Sequence, residues 1–215
     1  RELLNKVDKF FFSSEWSCES LIKNNAFDKD RLHIMPFGAN LEMTCSAKEV
    51  LWQREKISDV CRLLFVGMDW IRKGGRIAFD TMVELNKRGL NTELIVCGSP
   101  PPDEIRHNKL KIIGRLNKND KKQHDMLNDL YKNANFLFVP SRAEAFGIVF
   151  CEAAAWGLPV ISTKSGGISA VVKEGITGYL LPSDADYFQY ADRIQKIWQG
   201  RDEYLRLCHA SRMRY

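Results

Sequence analysis

The densest set of chemically useful residues is the string Pro140-Ser141-Arg142-Ala143-Glu144-Ala145-Phe146-Gly147-Ile148-Val149-Phe150-Cys151-Glu152. Glu144 and Glu152 stand eight residues apart around an apolar stretch that holds Gly147. Gly147 falls where a loop leaving a strand turns into a helix. The first amides of such a helix have no partner within it and point outward, which makes an anion site. A glycine there lets a phosphate approach the backbone closely. Glu152 lies one helical turn beyond Ile148, on the sheet side, where a carboxylate must be paired or hydrogen-bonded. Sugar hydroxyls are suitable donors. The plainer alternative is that Glu144 is a solvated loop residue and Glu152 pairs with a nearby Lys or Arg.

Other strings are weaker. Asp28-Lys29-Asp30 and Asp184-Ala185-Asp186 both match the D-x-D pattern of metal-dependent sugar transferases. The first reads as a polar turn before a strand. In the second, Asp184 follows Pro182-Ser183 and opens a helix, so it reads as an N-cap. No G-x-G-x-x-G follows a strand, and residues 67–75 lack the G-K-[ST] ending of a P-loop. His33, His107, His124 and His209 show no metal-ligand spacing, so no metal site is expected. Ser141 lacks the G-x-S-x-G elbow. Nothing resembles an aromatic nucleic-acid platform, so no nucleic-acid partner is expected.

Apolar runs alternate with amphipathic segments and supply the scaffold. Residues 9–14, 31–36, 62–66, 93–97, 110–113, 136–139, 160–162 and 179–181 read as strands. Helices are expected at 15–23, 75–88, 119–133 and 147–156, with two more beginning near Asp184 and Arg201. Ile77, Ala78, Thr81, Met82 and Leu85 share one helical face, and Met126, Leu127, Leu130 and Tyr131 another. Short apolar strands separated by helices mean β-α-β units. The expected fold is α/β, a doubly wound, Rossmann-like parallel sheet with helices on both faces. Ser99-Pro100-Pro101-Pro102-Asp103 is an irregular loop, because proline fixes φ and removes donors. Residues 38–46 read as a hinge or linker.

The 215 residues can bury a full core. They lack an initiator Met and open on Arg1-Glu2-Leu3, which reads as mid-helix, so a fragment or an excised domain is expected. Hydrophobic residues make up 45 % and charged residues 27 %, as in ordinary soluble domains. No apolar run approaches the ~18 residues of a membrane-spanning helix. Six cysteines without a C-x-x-C read as reduced cytosolic thiols. The formal charge of +5 is modest. Its basic groups, at Lys118, Lys121 and Lys122 and at Arg201, Arg206, Arg212 and Arg214, read as solvated helix faces. A phosphate site or contact with an anionic membrane would add to that.

The Pro140 to Glu152 string resembles the E-x7-E motif of the family 4 glycosyltransferases, which have the GT-B fold. Ala153-Ala154-Ala155-Trp156-Gly157-Leu158-Pro159-Val160-Ile161 is similar to the stretch that follows the second Glu in that family. Ser165-Gly166-Gly167 resembles its glycine pair, and Glu174-Gly175-Ile176-Thr177-Gly178-Tyr179-Leu180 its next turn and strand. Phe65-Val66-Gly67 with Lys73-Gly74 resembles its first donor-domain strand and basic loop. The resemblance runs from about residue 9 to 200. It implies that Glu144 contacts hydroxyls of the transferred sugar and Glu152 the ribose. The backbone of Phe146, Gly147, Ile148 and Val149, with Gly67, would hold the diphosphate and sugar, and Lys73 would neutralise the leaving diphosphate. Breaking a glycosyl–phosphate bond leaves charge on a phosphate oxygen, and a fixed cation there stabilises the transition state. Base selection would rest on backbone around Gly114-Arg115-Leu116. Two positions depart from the family: Met68 stands where it usually has Arg, with Arg72 as the alternative charge, and Ala170 where it often has Glu.

The implied protein is a retaining glycosyltransferase of polysaccharide biosynthesis. It would move a sugar from a nucleoside diphosphate sugar to a glycan or lipid-linked acceptor, with no cofactor and no metal. Residues 1–40 would be the end of the acceptor domain and the crossover, 41–200 the donor domain, and 201–215 a truncated terminal helix. Alone, such a chain would bind donor without completing catalysis. A cytoplasmic location is expected, with peripheral contact at the inner face of the membrane through the acceptor domain. Alternatives are a nucleotide-sugar epimerase of the same fold and a non-catalytic nucleotide-sugar-binding module.

Overall fold

The structure, a computed structural model, describes residues 6–24, 29–43, 45–56 and 58–215. The expected mid-helix start at Arg1-Glu2-Leu3 and Asp28 of the first D-x-D string lie outside the described residues. Phe10–Phe12 (β1) and Leu32–Ile34 (β2) pair in parallel in a sheet of their own, with the helix Glu15–Asn24 (α1) between them in sequence. Residues 35–43 carry no regular structure.

Ser46 caps the start of Ala47–Glu55 (α2), a helix that apolar periodicity leaves unassigned. The Glu49 amide donates to the Ser46 hydroxyl at 3.3 Å, and the Ser46 amide donates to the Glu49 carboxylate at 2.7 Å. This reciprocal capping box satisfies two amides that a bare helix start leaves open.

Six parallel strands then alternate with helices among the described residues. Cys61–Gly67 (β3) leads through Gly75–Lys87 (α3) to Thr92–Gly98 (β4) and Leu110–Gly114 (β5). Lys121–Asn133 (α4) leads to Phe136–Val139 (β6), Ile148–Ala155 (α5) to Val160–Thr163 (β7), and the short Ile168–Val171 (α6) to Gly178–Leu181 (β8). Tyr187–Gln199 (α7) and Arg201–Arg214 (α8) follow. The strand order is β5-β4-β3-β6-β7-β8. Every side chain of β6 and β7 is buried, as central strands with helices on both faces require. The chain enters at the centre in β3, steps outward to β5, returns to β6 and steps outward the other way. That reversal makes the sheet doubly wound, with its switch point between β3 and β6. No helix among the described residues is long and apolar enough to cross a membrane.

Two expectations are corrected. Met126 is 42 % exposed, not inward. The buried stripe of α4 runs through Leu127 and Tyr131, four residues apart, and the ~100° step per residue turns Met126 onto the flank. The cap of α7 is Asp186, not Asp184. A capping box needs Glu or Gln three positions on, which Asp186 finds in Gln189, with both bonds at 3.0 Å.

Arg54 shows how the last turns of two helices are satisfied. It is 4 % exposed, and its guanidinium donates to the carbonyls of Trp156 at 2.9 Å, of Tyr131 at 2.7 Å and of Ala134. These carbonyls close the C-terminal ends of α5 and α4, where the helix dipole favours a cation. Arg54→Ala should lower the unfolding free energy by about 3 kcal/mol or more, since each buried polar group left unpaired costs ~1–3 kcal/mol. Urea denaturation of the two proteins measures it.

Candidate functional site

A cleft of about 760 Å³ opens at the carboxyl ends of β3, β4 and β5. Gly67, Arg72, Lys73, Arg115, Val149 and Glu152, all named from the sequence, line it. Gly114 immediately precedes Arg115 and ends β5.

Lys73 lies on the loop after β3 and is 8 % exposed, so it is not a surface lysine. Its ammonium donates to the Glu144 carboxylate, on the loop after β6, and both side chains are largely buried. Glu144 is therefore not a solvated loop residue. Arg72 is exposed, and its guanidinium is engaged at 3.2 Å by Asp69 and at 3.0 Å by the carbonyl of Ala143. Met68 lines the same cleft and is 56 % exposed.

Gly147 caps α5 with φ +85°, a conformation that side chains with a Cβ rarely adopt. A Cβ there would also come within 2.5 Å of the Phe150 ring. The opening amides of α5 thus start beside Lys73 and Glu144. Phe146 is buried and its ring meets Phe37 edge-on at 5.5 Å, so it anchors the loop from the side away from the cleft. The Ile148 side chain is exposed and does not line the cleft. The backbones of Glu144 and Ala145 rest on the glycine pair: the Gly167 amide donates to the Glu144 carbonyl at 2.9 Å, and a Cβ on Gly166 would sit 1.9 Å from that same carbonyl oxygen.

Glu152 is 1 % exposed. One carboxylate oxygen accepts from the Tyr131 hydroxyl at 2.8 Å and the other from the ammonium of Lys118. Lys118 also donates to the Asn40 carbonyl at 3.3 Å. The pairing with a lysine left open by the sequence is present. A carboxylate has about four acceptor positions, so acceptor capacity remains beyond these two bonds. Burial first, and the Glu152 charge second, hold the Tyr131 phenol well above its usual pKa, so it stays a donor. Burial likewise pushes the Cys97 thiol on the cleft wall up to about 11.

By sequence alone Lys118 reads as surface charge and Tyr131 as core. The signal available was the need of Glu152 for partners, but no local pattern points from residue 152 to residues 118 and 131. All six cysteines are free. Among the described residues no three His, Cys, Asp or Glu side chains cluster as metal ligands.

Fold and site together define a doubly wound α/β domain with a cation-lined cleft at its switch point. The family described as "Glycosyl transferases group 1" matches residues 61–200, and the chain belongs to that family. It is 26 % identical over 221 residues to the D-inositol 3-phosphate glycosyltransferase of Corynebacterium glutamicum (strain R), covering 96 % of this chain and 53 % of that protein. The protein of the same description from Mycobacterium tuberculosis (strain F11) is 36 % identical over 129 residues, covering 56 % of this chain and 25 % of that one. The chain spans about half the length of the curated relatives it matches along nearly its whole length. Among solved structures it superposes on WaaG, a glycosyltransferase involved in lipopolysaccharide biosynthesis, with a TM-score of 0.75, 19 % identity and coverage of 95 % of this chain and 57 % of that one. The pneumococcal O-GlcNAc transferase GtfA in complex with UDP and GlcNAc gives a TM-score of 0.76 at 20 % identity, over 98 % of this chain and 42 % of that one. The fold is that of the C-terminal domain of GT-B glycosyltransferases.

Proposed function

We propose that this chain is the donor-binding part of a retaining glycosyltransferase that transfers a sugar from a nucleoside diphosphate sugar to a glycan or lipid-linked acceptor. Residues 1–40 then belong to the end of the acceptor domain and the crossover, and 41–200 to the donor domain. The observation that carries the reading is the buried Lys73–Glu144 pair, set across the switch point beside the start of α5. Family membership and relatives named as glycosyltransferases support it.

The chemistry follows from these positions. The Lys73 charge is held in place by Glu144 rather than left on a mobile side chain. A donor diphosphate offers Lys73 a second acceptor, and the first amides of α5 face the same region. As the glycosyl–phosphate bond breaks, charge grows on the leaving phosphate oxygen, and a fixed cation with oriented amides stabilises it. Glu144 is then placed for hydroxyls of the transferred sugar. Glu152, oriented by Tyr131 and Lys118, keeps lone pairs for the ribose hydroxyls. Lys73 and the helix amides supply the positive potential that a bound cation supplies in other sugar transferases, so the proposed transfer needs no divalent metal.

A second reading, a donor-binding module without turnover, is favoured by Met68. It occupies the cleft where the family usually places Arg, and Arg72 is committed to Asp69 and Ala143. Turnover separates the two.

Titration of UDP, GDP and ADP into this chain should show binding of at least one at millimolar concentration, and at a hundred times its Kd that ligand should add roughly 2.7 kcal/mol to stability. Absence of binding by all three overturns the donor-site reading. In the complete enzyme, Lys73→Ala should lower kcat about a hundredfold or more, the ~2.7–4 kcal/mol of one charge-stabilising group, whereas Glu152→Gln should mainly raise the donor KM. Steady-state kinetics reads both, and an unchanged rate in Lys73→Ala would show that the cation is misassigned. Activity should also persist in excess EDTA. A rate that vanishes with chelator and returns with Mg²⁺ or Mn²⁺ would refute the metal-free assignment.

A further inference from the structure

Ser14 lies outside residues 61–200, yet it reaches the loop that carries Glu144. It is 1 % exposed. Its hydroxyl accepts from the Ser17 amide at 3.2 Å, the bond of an N-cap to the third residue of α1. The Ser17 hydroxyl donates to the Ser14 carbonyl at 2.8 Å and its oxygen lies 3.0 Å from the Ser14 hydroxyl oxygen, and the Ser14 proton has a second acceptor. That acceptor is the carbonyl of Ala145, at 3.0 Å and 131 residues away in the chain.

Ala145 directly follows Glu144. Its carbonyl is held between Ser14 and the glycine pair, so tightly that a Cβ on Gly167 would come within 1.9 Å of the Ala145 oxygen and 2.6 Å of the Ser14 oxygen. Other contacts join the same regions: Phe37 meets Phe146 edge-on, and the Cys151 thiol donates to the Phe37 carbonyl at 3.5 Å. Ser14 is the hydroxyl among these that bonds to the backbone beside Glu144.

We propose that Ser14 is a positioning residue for Glu144, holding that carboxylate at the sugar end of the cleft by fixing the Ala145 carbonyl. The proposal rests on the donor-site reading above. Without the hydroxyl proton the Ala145 carbonyl loses its donor, and the backbone that carries Glu144 is free to shift. The nucleotide end of the cleft, built on Lys118, Tyr131 and Glu152, makes no contact with Ser14 and keeps its geometry. A shift of ~1 Å in a positioning group is enough for large losses.

The experiment is calorimetric titration of the unsubstituted chain and its Ser14→Ala, Ser14→Cys and Ser17→Ala variants. The ligands are UDP, GDP and ADP and their glucose esters, UDP-, GDP- and ADP-glucose. For the base that binds, Ser14→Ala should weaken the glucose ester about tenfold and leave the bare diphosphate within about twofold, because only the sugar-facing loop has moved. Ser14→Cys, with a weaker donor in the same place, should show the same split at smaller size. Ser17→Ala keeps the Ala145 bond and should bind both ligands as the unsubstituted chain does. Equal losses for ester and diphosphate, no loss at all, or the same split in Ser17→Ala would each overturn the proposal. An unsubstituted chain that binds none of the six ligands instead overturns the donor-site reading, and the proposal with it.

Discussion

Glu152, buried on the cleft wall, and Glu144, largely buried on the loop after β6, are both neutralised from the other half of the sheet, and most of the site follows from that requirement. Glu144 and Glu152 both come after β6, on the half of the sheet that runs outward to β8. Their partners Lys73 and Lys118 come after β3 and β5, on the opposite half. Each ion pair therefore crosses the switch point. A buried pair contributes little net stability, because desolvation offsets most of the attraction, but removing one partner costs ~3–5 kcal/mol. The pairs thus set the separation and alignment of the walls more than they add to folding. They also keep charge where an anion can share it.

The support behind these pairs is mostly backbone. The glycine pair lets the chain after β7 come into contact with the carbonyls of Glu144 and Ala145, and Gly147 allows α5 to begin close behind. Arg54, on a helix outside the sheet, gathers the ends of α4 and α5, the two helices that carry Tyr131 and Glu152. Tyr131 links the two tasks. Its carbonyl is held by Arg54 and its hydroxyl by Glu152, so the carboxylate inherits the rigidity of a helix end. A site built this way is ordered before anything binds, which lowers the cost of ordering it later.

Much of the architecture was legible because it depends on local pattern. Continuous apolar runs marked the central strands, and the glycine after Phe146 marked a helix start facing a cleft. The misreadings came where two local solutions compete. Asp184 and Asp186 are both plausible caps, and the choice turned on Gln189, three residues beyond the second. Met126 sits beside Leu127, and a rotation of about 100° decides which of them faces the sheet. Ser46 and Glu49 formed a readable capping box, but α2 has no strong apolar stripe to draw attention to it; the side chains it buries are Val50 and Arg54.

The sequence by itself determined the class of fold, the alternation of the main strands and helices, the glycine at the start of α5 and the acidic pair eight residues apart. These are consequences of side-chain period, backbone permissiveness and local hydrogen bonding, which act over a few residues. Only the tertiary structure decided which cation meets which carboxylate. Lys73 finds Glu144 across 71 residues, Lys118 finds Glu152 across 34, and Ser14 finds the loop of Ala145 across 131. For the two lysines the physical reason is that a parallel sheet brings distant loops to its carboxyl end, and the requirement to pair every buried charge then selects among them. That selection depends on geometry in three dimensions, so no short-range pattern along the chain carries it.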